Sequence, residues 1–298
     1  MKKIETVLFG IYPKSEKLRI RIGRWERNIV STSDLVNVLR QETDNVESEW
    51  AESGIDHWAS PLFNWYDIFR PFSTLIKGIE LGPLTRYHET NTFYRIPVVG
   101  RDLSVNENPD LKPDSKDGLP PPLYYGNSEW AFLPGLRTFY TMSETARINE
   151  EEFTENMIPI YSDILENAGK KKLFVFEGSD PGHFDYSVYK EVMSPSKTVI
   201  FFSRSPGKDN LSSISEKFYS LIESSRDSGD QTLQYSQRKG VAVIDAHSTS
   251  IESSHNILEK IEDTGENVIL TSNDYLDFLP RSVADKKVRV LGGCSSVR

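Results

Sequence analysis

Eight short runs rich in β-branched and aromatic residues alternate along this chain with stretches of helical periodicity, and that alternation constrains the fold most strongly. The runs are Thr6–Phe9, His57–Ser60, Trp130–Pro134, Leu173–Glu177, Thr198–Phe202, Thr232–Tyr235, Val241–Asp245 and Val268–Thr271. A parallel strand buried on both faces reads as a continuous apolar run, and each needs a crossover to return the chain to the same edge. Eight such units are what a closed α/β barrel requires, and 298 residues suit one barrel of about 250 residues with insertions. The expected architecture is therefore α/β, a single (β/α)8 TIM barrel over residues 1–298.

The helical stretches carry packing rather than chemistry. Ser33–Glu52 sets Leu35, Val38, Leu39, Val46 and Trp50 at helical spacing, with Ser33 as a candidate cap and Asp34 in the first turn. Ser254–Asp263 and Glu216–Glu223 repeat the pattern, the latter through Phe218, Leu221 and Ile222. Thr92–Val99 is a further extended piece, expected as a hairpin arm beside the barrel. The segment Asn106–Gly126 holds Pro109, Pro113 and Pro120-Pro121-Pro122, which resist helix and sheet, so an extended insertion is expected there.

Composition excludes several classes. The net charge of −9 argues against broad nucleic-acid affinity. No apolar run of about 18 residues is present, and the start lacks an apolar core, so neither a membrane span nor a signal peptide is expected. A single cysteine, Cys294, fits a reducing cytoplasm. There is no Gly-x-Gly-x-x-Gly, no phosphate loop and no Gly-x-Ser-x-Gly elbow.

Several local motifs appear in a telling order. Leu8-Phe9-Gly10-Ile11-Tyr12-Pro13-Lys14 reads as a first strand and its turn, with Lys17-Leu18-Arg19 ahead of Trp25. Arg86-Tyr87-His88-Glu89-Thr90-Asn91-Thr92-Phe93-Tyr94-Arg95 follows, then Leu133-Pro134-Gly135 with Thr138-Phe139, Leu173–Asp180, Asp245-Ala246-His247-Ser248, and Leu279-Pro280 through Lys287. In that order, from Val7 to about Lys287, the chain resembles the cobalamin-independent methionine synthase family in its short, archaeal, single-barrel form. The resemblance implies a barrel of the methionine synthase and uroporphyrinogen decarboxylase-like type. It also implies a zinc that activates the homocysteine thiol and a folate- or methanopterin-type methyl donor.

The departures from that pattern bear on function. Where the family has His-x-Cys, this chain reads Ser203-Arg204-Ser205; where it has Asn-Pro-Asp-Cys, it reads Ser272-Asn273-Asp274-Tyr275. The third ligand, a glutamate near the next strand, falls around Gln234, and Phe176 replaces the aspartate that holds the homocysteine amine. Zinc wants thiolate, imidazole or carboxylate ligands in tetrahedral reach, so no bound metal or other cofactor is expected. The pattern is similar to the amino-terminal barrel of the long, two-barrel methionine synthases, which lacks the zinc. It implies an accessory role beside a separately encoded catalytic barrel; the alternatives are a barrel enzyme of changed, metal-free chemistry and a methionine synthase that completes its metal site with a partner.

The candidate catalytic residues are Glu177, Asp245 and His247, all at strand ends, where barrel sites form. Glu177 reads equally as a structural carboxylate or a pocket acid. An Asp-x-His pair suggests acid–base work at neutral pH, or a turn-capping aspartate beside a structural histidine. The candidate ligand-binding residues add Lys14, Lys17, Arg19, Arg86, Glu89, Asn91, Arg95, Arg204 and Asp274. Lys14, Lys17, Arg19, Arg21 and Arg24 form the basic cluster of an acidic chain, which the resemblance matches to the acidic tail of a folate. Arg204, between two former ligand positions, reads as a plug, an anion site or a solvated side chain. No nucleic-acid or membrane partner is expected.

Overall fold

The computed structural model describes residues 3–87, 92–107, 119, 127–170, 172–177, 189–192, 198–203, 218–222, 239–262 and 267–295, some of them through the backbone alone. Of the expected features, His88, Glu89, Asn91, Arg204, Ser205, Gln234 and nearly all of the Pro-rich segment lie outside the described residues. Leu119, from that segment, is buried in the core.

The chain opens with strand β1 (Lys3–Leu8), helices α1 (Glu16–Trp25) and α2 (Thr32–Glu52), and a two-residue strand β2 (His57–Trp58). Helix α3 (Arg70–Leu75) leads into a long hairpin, β3 (Ile76–Arg86) and β4 (Phe93–Val105). Then come β5 (Trp130–Pro134), α4 (Leu136–Thr141), α5 (Glu150–Asn167), β6 (Lys172–Glu177), α6 (Tyr189–Val192), β7 (Thr198–Ser203) and β8 (Phe218–Ile222). The chain closes with β9 (Lys239–Ile244), α7 (Ser254–Lys260), β10 (Asn267–Ser272) and α8 (Arg281–Ser295).

Eight strands form one sheet in the order β2-β1-β10-β9-β8-β7-β6-β5, and every pairing in it is parallel. One isolated parallel bridge, Ala59 to Trp130, links the two ends of that order. Side chains of β1 alternate between two cores. Ile4 and Leu8 join Leu18, Leu39 and Trp50 of the helices, while Val7 and Phe9 join Phe132, Phe174 and Phe176. That division is what a sheet covered by helices on one face and filled by its own side chains on the other demands. Among the described residues no helix is long and apolar enough to cross a membrane.

Two expectations change. The stretch expected as a helix at Glu216–Glu223 contains β8, paired through Val199–Phe218 to Ser203–Ile222 with β7 and through Leu221–Gly240 and Ile222–Val241 with β9. Phe-Tyr-Ser-Leu-Ile is a short apolar run, and spacing alone does not separate a buried strand from a helix face at that length. The strand expected at Thr232–Tyr235 lies outside the described residues. Second, α2 is capped by Ser31 rather than Ser33: the Ser31 hydroxyl accepts a hydrogen bond from the Asp34 amide at 3.1 Å.

The hairpin arm is longer than Thr92–Val99 suggests, because β3 carries no alternating pattern that marks it as a strand. Its free edge is interrupted by two register shifts, by Gly78 at φ +90° and by Pro83, devices that discourage pairing with another chain.

Candidate functional site

The carboxyl ends of β1, β6, β9 and β10 and the loops after them converge on one region, and its floor is aromatic. Phe9 after β1 lies 5.5 Å from the Phe176 ring on β6 and 6.2 Å from Phe132 on β5. Tyr275, just past β10, meets Phe176 edge-on at 5.9 Å, Tyr87 at 5.8 Å and Phe278 in a stack at 4.8 Å. Tyr275 is 2% exposed, and burial together with nearby carboxylates pushes its phenol well above its ordinary value, so it stays protonated. Gly10, at φ +74°, is required beneath it, since a Cβ there would sit 2.4 Å from the Tyr275 Cβ. Tyr87, from the end of the hairpin, is the arm's contribution to this region and is aromatic rather than charged.

Glu177 ends β6 fully buried, aimed at the start of α4. One oxygen accepts from the Thr138 amide at 2.9 Å and its hydroxyl at 2.7 Å; the other accepts from the Arg137 amide and the Tyr189 hydroxyl, each at 3.3 Å. The Tyr189 hydroxyl in turn accepts from the Leu136 amide at 2.7 Å. These groups satisfy the orphan amides of α4, whose cap residue, Gly135, has no side chain to do so. A Cβ on Gly135 would fall 1.9 Å from the Glu177 carboxyl carbon. Burial raises the Glu177 pKa to about 7 even against these four donors. This geometry is that of an anchor joining β6, α4 and α6.

Asp245 and His247 sit in one turn, but their side chains do not pair. The Asp245 carboxylate accepts from the His247 amide at 3.0 Å and from the Asn273 side chain at 3.3 Å, which shapes the turn. The His247 imidazole instead reaches Asp274, with Nε2 3.3 Å from Oδ2, and rests 4.6 Å from the Phe278 ring. Asp274 is fully buried, and its other oxygen accepts from the Tyr275 amide at 2.9 Å; His247 is 37% exposed at its side chain. A buried carboxylate behind a half-exposed imidazole is an arrangement that can move a proton to a bound molecule. The turn is held from behind by Glu252, which accepts from the Asp245 amide at 2.9 Å and pairs at 2.6 Å with Lys287, itself 0% exposed.

The basic cluster divides. Lys14 donates to the Trp65 carbonyl at 2.8 Å, and burial lowers its pKa while Asp277 opposes that shift. Arg19 faces the same group: burial pushes Asp277 up to about 6, against the pull of Lys14 and Arg19. Arg70, held by Asp67 at 3.2 Å, completes a set of three cations and two carboxylates at the rim. Lys17, by contrast, lines a groove on the outer face of α1 with Arg21 and Arg24. Asp67, Arg70 and Asp277 lacked any sequence signal: Asp67 lies in a loop, Arg70 opens the six-residue α3 and Asp277 sits in a single 3-10 turn, and the fold sets the neighbours of all three.

The hairpin candidates do not converge on the strand ends. Arg86 lies over the half-exposed Phe93 ring at 6.0 Å, on the arm's outer face. Arg95 donates from its guanidinium to the Gly82 carbonyl at 3.0 Å and from its amide to Asp67 at 3.2 Å, which braces the arm.

A zinc fits this region poorly. Tyr275, at one implied ligand position, is a protonated phenol locked among rings, and among the described residues no three His, Cys, Asp or Glu side chains gather as a metal site.

No protein-family model matches the sequence, and no curated protein matches it. Among solved structures, the chain is similar to a B12-independent methionine synthase from Shewanella sp. W3-18-1, solved in complex with selenomethionine. The TM-score is 0.68 over 98% of this chain and 96% of that one, at 11% identity. The likeness is one of fold, and it runs the length of both chains.

Proposed function

We propose that this chain is a methionine-synthase-related (β/α)8 barrel without its own zinc centre. In this reading it serves in the cytoplasm as an accessory subunit to a separate catalytic barrel that transfers a methyl group from a methyl-pterin to homocysteine. The full-length fold likeness and the Ala59–Trp130 bridge, which spans the open side of the sheet, support the barrel. The observation that carries the function is Tyr275. Its ring fills the place where the resemblance expects a thiolate, and Phe176 packs against it where the resemblance expects an amine-binding aspartate. Ser203 and Ser205 stand at two further expected ligand positions; the third, expected around Gln234, moves to Glu223 in this reading because that residue follows β8, and a lone glutamate does not make a tetrahedral site. Without a metal-held thiolate, homocysteine is not activated here. Lys14 and Arg19 at the rim suit the carboxylate tail of a folate- or methanopterin-type donor.

The Asp274–His247 pair favours a second reading, a barrel enzyme of altered, metal-free chemistry. Co-purification of the tagged protein from its own cells, with zinc and partner measured in the same sample, separates the two. A stoichiometric methionine synthase barrel that carries all the zinc supports the accessory role. A zinc-free protein that emerges alone supports the second reading, and a protein that binds one zinc and makes methionine unaided overturns both.

A further inference from the structure

Helix α1 buries Leu18, Ile22 and Trp25 and turns Lys17, Ile20, Arg21 and Arg24 outward. Lys17, Arg21 and Arg24 are spaced at helical turns along about 10 Å of one face. Together with Glu16, Ile20 and Val38 of α2 they line an open groove of about 430 Å³. Ile20 is 51% exposed, one of the more exposed large apolar side chains among the described residues. None of the three cations has an ion pair or hydrogen bond with a side chain among the described residues. On a chain of net charge −9, three unneutralised cations around an uncovered isoleucine are a local reversal of the surface. The cap and the core of α1 do not use them: Ser15 caps the helix, its hydroxyl accepting from the Leu18 amide at 3.1 Å, and Leu18, Ile22 and Trp25 form its buried side.

We infer that the α1–α2 groove is a docking surface for a carboxylate-bearing amphipathic helix of a partner protein. The occupant would set acidic side chains at four-residue spacing over Lys17, Arg21 and Arg24 and an apolar side chain over Ile20 and Val38. Charge complementarity selects an acidic occupant. The apolar floor selects a helix with a hydrophobic edge over a plain polyanion, and the net negative charge of the whole chain disfavours extended nucleic acid. Glu16 closes one end of the groove, so the matching row of carboxylates is short. This inference does not depend on the accessory role: it concerns the outer face of α1, away from Lys14, Arg19 and the strand ends.

The test uses the full chain and a fluorescent helical peptide of about 18 residues, with glutamates at four-residue spacing beside a row of leucines. Controls are the same peptide with glutamine for glutamate, a single-stranded oligodeoxynucleotide and anionic phospholipid vesicles. Binding of the glutamate peptide is expected at low salt, weakening about tenfold between 50 and 300 mM salt. The variant K17E/R21E/R24E should weaken it at least tenfold, and Ile20→Ser a few-fold, with circular dichroism unchanged for both because the three cations make no ion pair or side-chain hydrogen bond among the described residues and Ile20 is half exposed. Equal binding of the glutamine peptide, indifference to the triple reversal, or tighter binding of the oligonucleotide or vesicles overturns the inference.

Discussion

Glu177 is the residue where local physics is most exposed to measurement. Its carboxyl ionises near pH 7 in the folded chain against an ordinary 4.5, because burial outweighs the four donors around it. Between those two values the folded chain holds a proton that the unfolded chain has released. Stability is therefore fully present below about pH 4.5 and falls as pH rises to about 7, a loss of roughly 3 kcal/mol. Glu177→Gln removes the titration. The melting temperature of the wild type should fall by roughly 6 °C more than that of the variant between pH 5 and pH 8. An unchanged slope in the variant would assign the pH dependence to another group. Gly135 is bound to the same design. Gly135→Ala places a methyl group inside the Glu177 carboxyl and should destabilise by about 3 kcal/mol in denaturant titration.

At the scale of elements, Asp67 decides whether the hairpin arm stays docked. Its buried carboxylate accepts from the amides of Phe69 and Arg70, at 3.0 and 2.7 Å, and from the amide of Arg95 on β4 at 3.2 Å. Asp67→Asn keeps the shape but loses acceptor capacity. Hydrogen exchange at the amides of β4 should quicken by a factor equivalent to about 1–3 kcal/mol, while amides of β6 stay protected. An arm that exchanges no faster than wild type would show that ring packing by Tyr87 and Tyr94 holds it alone. Much of this level was legible in the sequence. The seven other strands, the α2 and α7 faces and the extended arm all follow from apolar spacing. β8 did not, because four apolar residues around one serine fit either period and only pairing with β7 and β9 decides between them. β3 was invisible since an exposed arm needs no alternation. The site was legible in part: Glu177, His247 and Asp274 lie at the strand ends, where strand-end reasoning puts them. Their partners could not be read, because Thr138, Tyr189 and Asp277 are brought in by tertiary packing.

The whole molecule has a fold similar to that of a B12-independent methionine synthase while its strand ends are packed with rings, and the proposed loss of a metal site can be tested by reversal. On the proposed reading Glu223, which follows β8 in the sequence, is the remaining ligand, so three substitutions, Ser203→His, Ser205→Cys and Tyr275→Cys, would supply a His, two Cys and a Glu in the order the resemblance implies. The purified wild type should contain no stoichiometric zinc by plasma mass spectrometry, and the triple variant should contain one per chain. Adding Glu223→Gln to the triple variant should remove it. The Tyr275 substitution carries a cost: it deletes a buried ring that touches Phe176, Tyr87 and Phe278, about 3–5 kcal/mol if the cavity stays open. Zinc should return part of that stability, because a metal bound only by the folded chain adds its binding free energy to folding. The variant should then melt higher with zinc than with chelator, while the wild type should be indifferent to both. Zinc in the wild type, or a triple variant that stays folded and takes none, would mean that the ligand positions are not where the motif order puts them, and the proposal built on Tyr275 would fall with them.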